Sequence, residues 1–531
     1  MSTLTPARAA RRYSAALVAT VLPLIFVLGG LTPRTAYAAM RCSSGVDHDV
    51  NGDGYAEVAI FELTPERSGA VHVFYGSATG LLTDPTSQTP DDQYFRPDTP
   101  GIPGSAADAG YFGGALAFGD YNADGCADLA IGAALYAAVP RVTVLSGSPR
   151  GLTTSGVRSY TDDDIGLAGT TTHLGNALVA ADLDDDGVED LAIGADGAEI
   201  DGQQAAGAVA VVGGSATGLA LAPTVVLTRN TAGIPGVAGY GEAFGESLAA
   251  GDFDGDGVAE LAISAPFGRT GLVQTVERGP DGYGRPQPEP ITLKSPGLPR
   301  LRETYSEFGV VTAAGDVDAD GRSDLAIGAF QVPCRHPDDE ECDYSPGNGT
   351  VLVFPGTDSG LSASKAIAWT QDSPGVAGSG SYERFGSSLA MGRLDDGPTD
   401  DLAIGASNDK IGKVRAGSVT ILLGSPHGLT TVAAGGSRIH QGVDGISGSN
   451  ESGDGFGSSL QIANVQGRTR SNLVIGSVGE AVGRTYGAGE IHQLASGVTG
   501  PKAQGSRALN AGSSGVRGPL TRDGYFGLTL G

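Results

Sequence analysis

Basic residues are scarce in this chain: 33 Lys and Arg stand against 60 Asp and Glu, a formal net charge of -27 over 531 residues. Phosphate backbones are gripped by a basic stripe, and the Lys/Arg residues group only at the extreme N-terminus, so a nucleic-acid partner is excluded. Long apolar runs are equally scarce. Beyond the N-terminal segment nothing approaches the ~20 apolar residues of a membrane-spanning helix. Motifs that carry catalysis are missing: there is no G-x-S-x-G, no H-E-x-x-H and no G-x-x-x-x-G-K-[ST]. The seven histidines, at 48, 72, 173, 336, 427, 440 and 492, fall at unrelated places, as solvated or core histidines do. Aromatic residues make up 6% with a single Trp, yet 40% of the chain is hydrophobic, enough to bury a core and to exclude a disordered chain. Glycine is what abounds, with 86 residues. It follows no G-X-Y period, which excludes collagen and points to many tight turns between short strands.

The N-terminus reads as an address. Arg8, Arg11 and Arg12 precede an apolar run over 15–31, and Ala36-Tyr37-Ala38 puts small residues at -3 and -1 of a cut before Ala39. That is the layout of a secretory signal over 1–38. The run contains Pro23 and two Gly and is short for an anchor. Arg41 stands where a lipobox needs a small residue, and Arg11-Arg12 lacks the rest of a twin-arginine pattern. We therefore expect a soluble, secreted chain without membrane insertion after cleavage. Cleavage removes four Arg and no acid, leaving 29 basic residues against 60 acids and a charge of -31. Four Cys in an exported chain can pair. Cys334 and Cys342 share one Pro-rich loop and are expected to close it, which leaves Cys42 and Cys126 for each other.

Self-comparison supplies the architecture, because a long pattern repeated at similar spacing does not arise by chance. From Phe244 the chain reads FGESLAAG, then DFDGDGVAE, then LAISAP, and the same text recurs from Phe112, Leu174, Phe308, Phe385 and Phe456. A further Phe526-Gly527 closes the chain. After each LAIGA-like run a loop leads to a second apolar strand that ends in a GS-x-x-GL turn, except that the copies after Ala265 and Ser477 are degraded, as Leu272 to Val276 and Glu490 to Leu494. A weaker strand, such as 367–370 or 225–227, follows. Four short strands per unit, separated by Gly, Pro and Asp clusters, are the signature of a propeller blade. The metal-type loop at Asp49 has no FG strand before it, and the FG strand at 526–530 has nothing after it. Together they complete one blade. The expected fold is therefore all-β: a seven-bladed β-propeller of four-stranded antiparallel blades over 39–531, closed by the C-terminal strand, which leaves no open sheet edge at the seam.

In five units the hairpin between the FG and LAIGA strands reads D-x-[DN]-x-D-G-x-x-[DE]. Its members are Asp49, Asn51, Asp53 and Glu57; Asp120, Asn122, Asp124 and Asp128; Asp182, Asp184, Asp186 and Asp190; Asp252, Asp254, Asp256 and Glu260; and Asp316, Asp318, Asp320 and Asp324. Oxygens at positions 1, 3 and 5 can converge because the Gly at position 6 turns the backbone sharply, with a carbonyl at 7 and a carboxylate at 9. Six or more hard, flexible oxygens suit Ca2+ rather than Zn2+ or Mg2+, so about five Ca2+ sites are expected. An EF-hand is rejected, because the final acid comes three residues after the Gly and a β run follows. Turns favour Asp and Gly without any ion, but eighteen carboxylates in five hairpins repel one another unless a cation is present. The sixth and seventh hairpins carry Arg393 and Arg468 near the ligand positions and are expected to be metal-free.

The FG…GDxDxDGxxDLAIGAP text resembles the FG-GAP repeat of integrin α-subunit propellers and of their bacterial secreted relatives, over essentially the whole mature chain. The resemblance implies a seven-bladed propeller with calcium in the hairpins of the lower face and an adhesion or ligand-binding role for the upper-face loops. No partner-subunit region, leg domain or membrane anchor is legible, so receptor signalling is not carried over. FG-GAP repeats also accompany a phospholipase D, whose catalytic domain is a separate segment with no counterpart here. The expected function is a monomeric, non-catalytic, calcium-stabilised propeller that recognises an extracellular protein or glycan. The longest upper loop, over 330–349, is the expected centre of the binding surface. The alternative is a polysaccharide-active enzyme, a lyase or hydrolase, which needs His, Lys or Arg gathered with acids on one face.

Overall fold

A computed structural model describes residues 42, 45–84, 90, 92–167, 171–268, 271–279, 282–286, 289–298, 306–331, 349–378, 383–431 and 438–531. The expected signal over 1–38, and the loop at 332–348 with Cys334 and Cys342, lie outside the described residues. The described residues form one compact unit.

That unit is a seven-bladed β-propeller. The blade that starts at Ala115 shows the plan. Its strands Ala115–Gly119, Asp128–Ala133, Arg141–Ser146 and Thr153–Thr161 pair antiparallel in chain order. The second strand of every blade is the LAIGA run: Val58–Glu62, Asp128–Ala133, Asp190–Ala195, Glu260–Ala265, Asp324–Gln331, Asp401–Ala406 and Asn472–Ser477. These runs are apolar without alternation because each lies mid-sheet with a neighbouring blade on either face, so both sets of side chains are buried. Regular helix is confined, among the described residues, to Asp162–Ile165 and a 3-10 turn at Ala363–Lys365. The copies that look degraded in sequence still form third strands, Leu272–Gly279 and Glu490–Ala495.

Among the described residues seven apolar clusters form the core, and each draws on two adjacent blades. Residues 56–81 pack against 463–526 in the cluster that joins the last blade to the first. The paired glycines of the repeat follow from that packing. A Cβ on Gly132 would stand 2.1 Å from the carbonyl oxygen of Gly175 in the next blade, and the same conflict recurs between Gly194 and Gly245 at 2.3 Å and between Gly476 and Gly527 at 2.3 Å. The LAIGA glycine of one blade thus touches the FG glycine of the next, and any side chain would push the blades apart.

Ring closure follows the expectation. The first blade has three strands of its own, Val58–Glu62, Ala70–Phe74 and Asp92–Phe95. The C-terminal segment fills the fourth place: Leu530 bridges Ile60, the Phe61 N–H donates to the Thr529 oxygen at 3.1 Å, and the Gly527 N–H donates to the Phe61 oxygen at 3.0 Å. Cys42 and Cys126 form a disulfide with Cα atoms 4.9 Å apart, joining the first two metal-type hairpins as expected.

Candidate metal hairpins and the opposite loop face

Antiparallel order puts every FG-to-LAIGA hairpin at one end of the blades. The loops after LAIGA and the crossovers to the next FG strand lie at the other end. The first group carries the acids. Asp49, Asp53 and Glu57 present oxygens within 4.8 Å of one another, as do Asp182, Asp184 and Asp186; Asp252, Asp254 and Glu260; and Asp316, Asp318 and Asp320. The second hairpin gathers no such trio among the described residues, and its Asn122 turns its amide nitrogen onto the Asp128 carboxylate at 3.1 and 3.2 Å. Asp128, Asp190 and Asp324 stay out of the clusters, whereas Glu57 and Glu260, one methylene longer, reach in.

Position 1 organises each loop. Asp252 accepts from the N–H groups of Gly255 at 2.7 Å and Gly257 at 3.0 Å, and Asp182 and Asp316 accept from Gly187 and Gly321 at 2.9 and 3.0 Å. Position 9 does something the sequence did not disclose. Its two oxygens tie the hairpin to the end of the third strand: Asp324 accepts from Val317 N–H at 2.9 Å and Gly356 N–H at 3.0 Å. Asp401 does the same with Leu394 at 2.8 Å and Gly424 at 2.9 Å, although its hairpin carries Arg393, whose guanidinium donates to the Gly397 oxygen. The position-9 acid is therefore a structural acceptor in acid-rich and Arg-bearing hairpins alike.

Burial sets the charge state at position 9. It pushes Asp128 and Glu260 up to about 8, helped by the charges of the neighbouring loop acids. It raises Glu57 well above the ordinary carboxylate range, and Asp324 to about 6. Ligating carboxylates must be ionised, so a cation bound there releases protons. An oxygen-only donor set with acids spaced to share one ion fits Ca2+. Positions 1, 3 and 5 would hold it, with Glu57 and Glu260 adding a fourth side chain in their loops.

The loops are also chained around the ring. The Ser of the GS turn donates its N–H to the position-2 carbonyl of the preceding blade's hairpin: Ser148 to Val50 at 3.1 Å, Ser425 to Val317 at 3.0 Å and Ser77 to Val465 at 2.9 Å. The recurrent GS in the sequence was the available signal for this link.

On the opposite face, adjacent blades bring together His173, Asp196 and Glu246. The His173 Nδ1 lies 3.3 Å from Asp196. Glu246, in hydrogen-bond contact with Asp196, is pushed up to about 8 by burial and by the charges of Asp196 and Glu307. Of the expected binding loop over 330–349, only the two ends are described.

Comparison with known proteins agrees with this architecture. The FG-GAP repeat family model matches residues 112–145, 244–279 and 308–354. The chain is a protein with FG-GAP repeats, and its propeller is integrin-α-like. It is 33% identical to integrin alpha-PS2 of Drosophila melanogaster over 45% of this chain and 16% of that protein. It is 32% identical to integrin alpha-5 of Xenopus laevis over 43% of this chain and 21% of that protein. It is 35% identical to phosphatidylinositol-glycan-specific phospholipase D of Mus musculus over 30% of this chain and 19% of that protein. The chain thus spans about a fifth or less of these relatives. Among solved structures, the exotype rhamnogalacturonan lyase YesX aligns with a TM-score of 0.33 at 13% identity, over 68% of this chain and 69% of that one, too low a likeness to bear on fold or function.

Proposed function

We propose that residues 39–531 form a secreted, monomeric, calcium-stabilised propeller that recognises an extracellular protein or glycan through its upper loops, without chemistry of its own. The observation that carries this reading is the division of labour between the two ends. One end gathers acids in four hairpins within 4.8 Å, a cation-dependent frame, and the other presents loops of differing length on that frame. Sites of this type bind with dissociation constants of about 10^-4 to 10^-3 M in extracellular modules. Because the folded hairpin alone binds, millimolar Ca2+ should raise the melting temperature and EGTA lower it. An unchanged melting curve would defeat the calcium assignment. A pull-down and glycan-array screen with Ca2+ present tests the recognition role, and a screen that returns nothing counts against it.

A second reading has one specific observation in its favour. The enzyme alternative requires His gathered with acids on one face, and His173, Asp196 and Glu246 are such a set. A carboxyl whose pKa is raised to near 8 can act as a general acid at neutral pH. Release of reducing or unsaturated ends from polysaccharides, abolished by Glu246→Gln in a protein of unchanged stability, would establish it.

A further inference from the structure

The seam between the last blade and the first encloses a charged cluster. His72 stands on the middle strand of the first blade's three, with Glu62 and Asp92 on the strands either side. All three are buried, with 0% exposure for His72 and Asp92 and 1% for Glu62. Glu62 Oε2 lies 3.1 Å from His72 Nε2, and Asp92 Oδ2 lies 3.7 Å from Nδ1. The cover over this cluster is the crossover 511–522, which follows the strand Lys502–Leu509 and contains turns and bends alone. It grips both carboxylates. The Arg517 N–H donates to Asp92 Oδ2 at 2.9 Å, the Arg517 Nε lies 3.0 Å from Asp92 Oδ1, and Thr521 Oγ1 donates to Glu62 Oε1 at 3.3 Å. Gly518 lies so close that a Cβ there would stand 3.4 Å from His72 Cε1 and 3.3 Å from the Tyr94 ring. Val516 and Leu520 add partly buried apolar contact with the seam.

Two carboxylates buried in one place need positive charge beside them. Arg517 supplies part of it, from a side chain that is 58% exposed and shared with water. His72 supplies the rest. A protonated imidazole carries charge and an N–H on each nitrogen, one toward each acid, whereas a neutral imidazole has a single N–H and no charge. The raised pKa of His72 agrees with a cluster that holds the proton. No other group facing the ring takes over this role. Tyr94, 4.6 Å away, is pushed up to about 12 by burial and stays neutral; Phe74 and Phe526 are apolar; Arg96 acts on Tyr94 and pairs with Glu66 and Asp98. Loss of the proton leaves carboxylates that only water can satisfy, and the crossover is the cover able to move. The residues after it are held by the backbone: Leu63 N–H donates to the Gly524 oxygen at 2.6 Å, Phe526 N–H to the Ala488 oxygen at 3.0 Å and Gly527 N–H to the Phe61 oxygen at 3.0 Å.

We propose that His72 is a protonation-dependent clasp: charged, it holds the crossover 511–522 over the seam, and neutral, it releases the crossover while the blades stay folded. Such release is a local opening of a segment without strand structure. Limited trypsin digestion of the full chain in millimolar Ca2+ reads it at the bond after Arg517. The cleavage rate is followed by mass spectrometry at pH 6.5 and pH 9 and divided by the rate on an unstructured peptide of the same local sequence, which removes the pH dependence of trypsin itself. The divided rate should rise with pH, by about tenfold if closure raises the His72 pKa by one unit. His72→Gln should be cut at both pH values about as fast as the wild type at pH 9. Glu62→Gln, which removes one of the two charges that the imidazolium offsets, should stay closed at pH 9 and flatten the rise to about twofold or less. Melting curves at both pH values establish that each protein is folded. A wild-type rate equal at the two pH values overturns the proposal, as does a rise that Glu62→Gln leaves intact. Equal acceleration at arginines of the other blades would mean general loosening and overturn it too.

Discussion

Two histidines show how one structural seat acquires opposite chemistry. His72 and His492 both stand third in the third strand of their blades, Ala70–Phe74 and Glu490–Ala495, and both are fully buried. Burial alone lowers a histidine pKa, and at His492 it does so, to about 4, with neither ring nitrogen hydrogen-bonded. At His72 burial is outweighed by the hydrogen bond to Glu62 and by the charges of Glu62 and Asp92, and the pKa rises above the ordinary value. Glu62 lies 3.1 Å from Nε2, and Asp92 lies 3.7 Å from Nδ1. A raised histidine contributes stability that is complete below the unfolded pKa of about 6.5 and is lost as pH climbs through the folded value. A lowered one acts on the acid side, where stability is lost as pH falls from about 6.5 through the folded value. Melting temperatures across pH 4 to 9 should therefore lose part of their alkaline slope in His72→Gln and part of their acid slope in His492→Gln. Parallel curves for wild type and both variants would refute the assignment. The sequence read the histidines as solvated or core groups, and these two lie in the core; their charge depends on how neighbouring strands pair and was illegible.

At the scale of the element, the metal-type hairpin separates into two functions that the D-x-[DN]-x-D-G-x-x-[DE] pattern merges. Positions 1, 3 and 5 converge on a common point in the third and fifth hairpins, and a position-9 Glu joins the cluster in the first and fourth, whereas position 9 also ties the hairpin to the third strand in acid-rich and Arg-bearing hairpins alike. Substitutions should therefore sort by their calcium dependence. Asp254→Ala should shrink the Ca2+-induced rise in melting temperature and change little in EGTA. Asp401→Asn removes the acceptor for one of two buried N–H groups and should cost about 1–3 kcal/mol with or without Ca2+. Urea unfolding of both variants in each condition checks the sorting, and equal calcium sensitivity of the two would collapse the distinction. The ligand letters were legible because side-chain oxygens converge locally. The tie to a glycine some 23 residues further on was not, since it exists only once three strands have paired.

For the whole molecule, stability resides between the blades. Each of the seven apolar clusters needs two blades, so the seam between last and first is worth as much as any other interface. Phe526, fully buried at that seam, stacks edge-on against His72 at 5.1 Å, and Arg517 lies 3.0 Å from Asp92. Deleting 521–531 removes the strand that pairs with Phe61 and exposes two sheet edges. The truncated chain should aggregate in size-exclusion chromatography and lose cooperative unfolding. Phe526→Ala, a milder cut, should cost about 3–5 kcal/mol. A truncation as stable and monodisperse as the parent would show that the seam is closed by other contacts.

The sequence by itself determined the seven-fold repeat, the strand order, the closure by the C-terminus and the Cys42–Cys126 bridge. The first three rest on periodicity and on the arithmetic of chain ends, and the bridge on pairing the two cysteines left over once Cys334 and Cys342 are assigned to one loop. It also marked the acids of the hairpins, because a nine-residue loop is local. Tertiary structure alone decided which carboxylates share a point, which are consumed as backbone acceptors, and that His173 meets Asp196 and Glu246 across a blade boundary. Those relations depend on how neighbouring sheets twist against each other, and loops more than twenty residues apart in sequence become neighbours only when the ring closes.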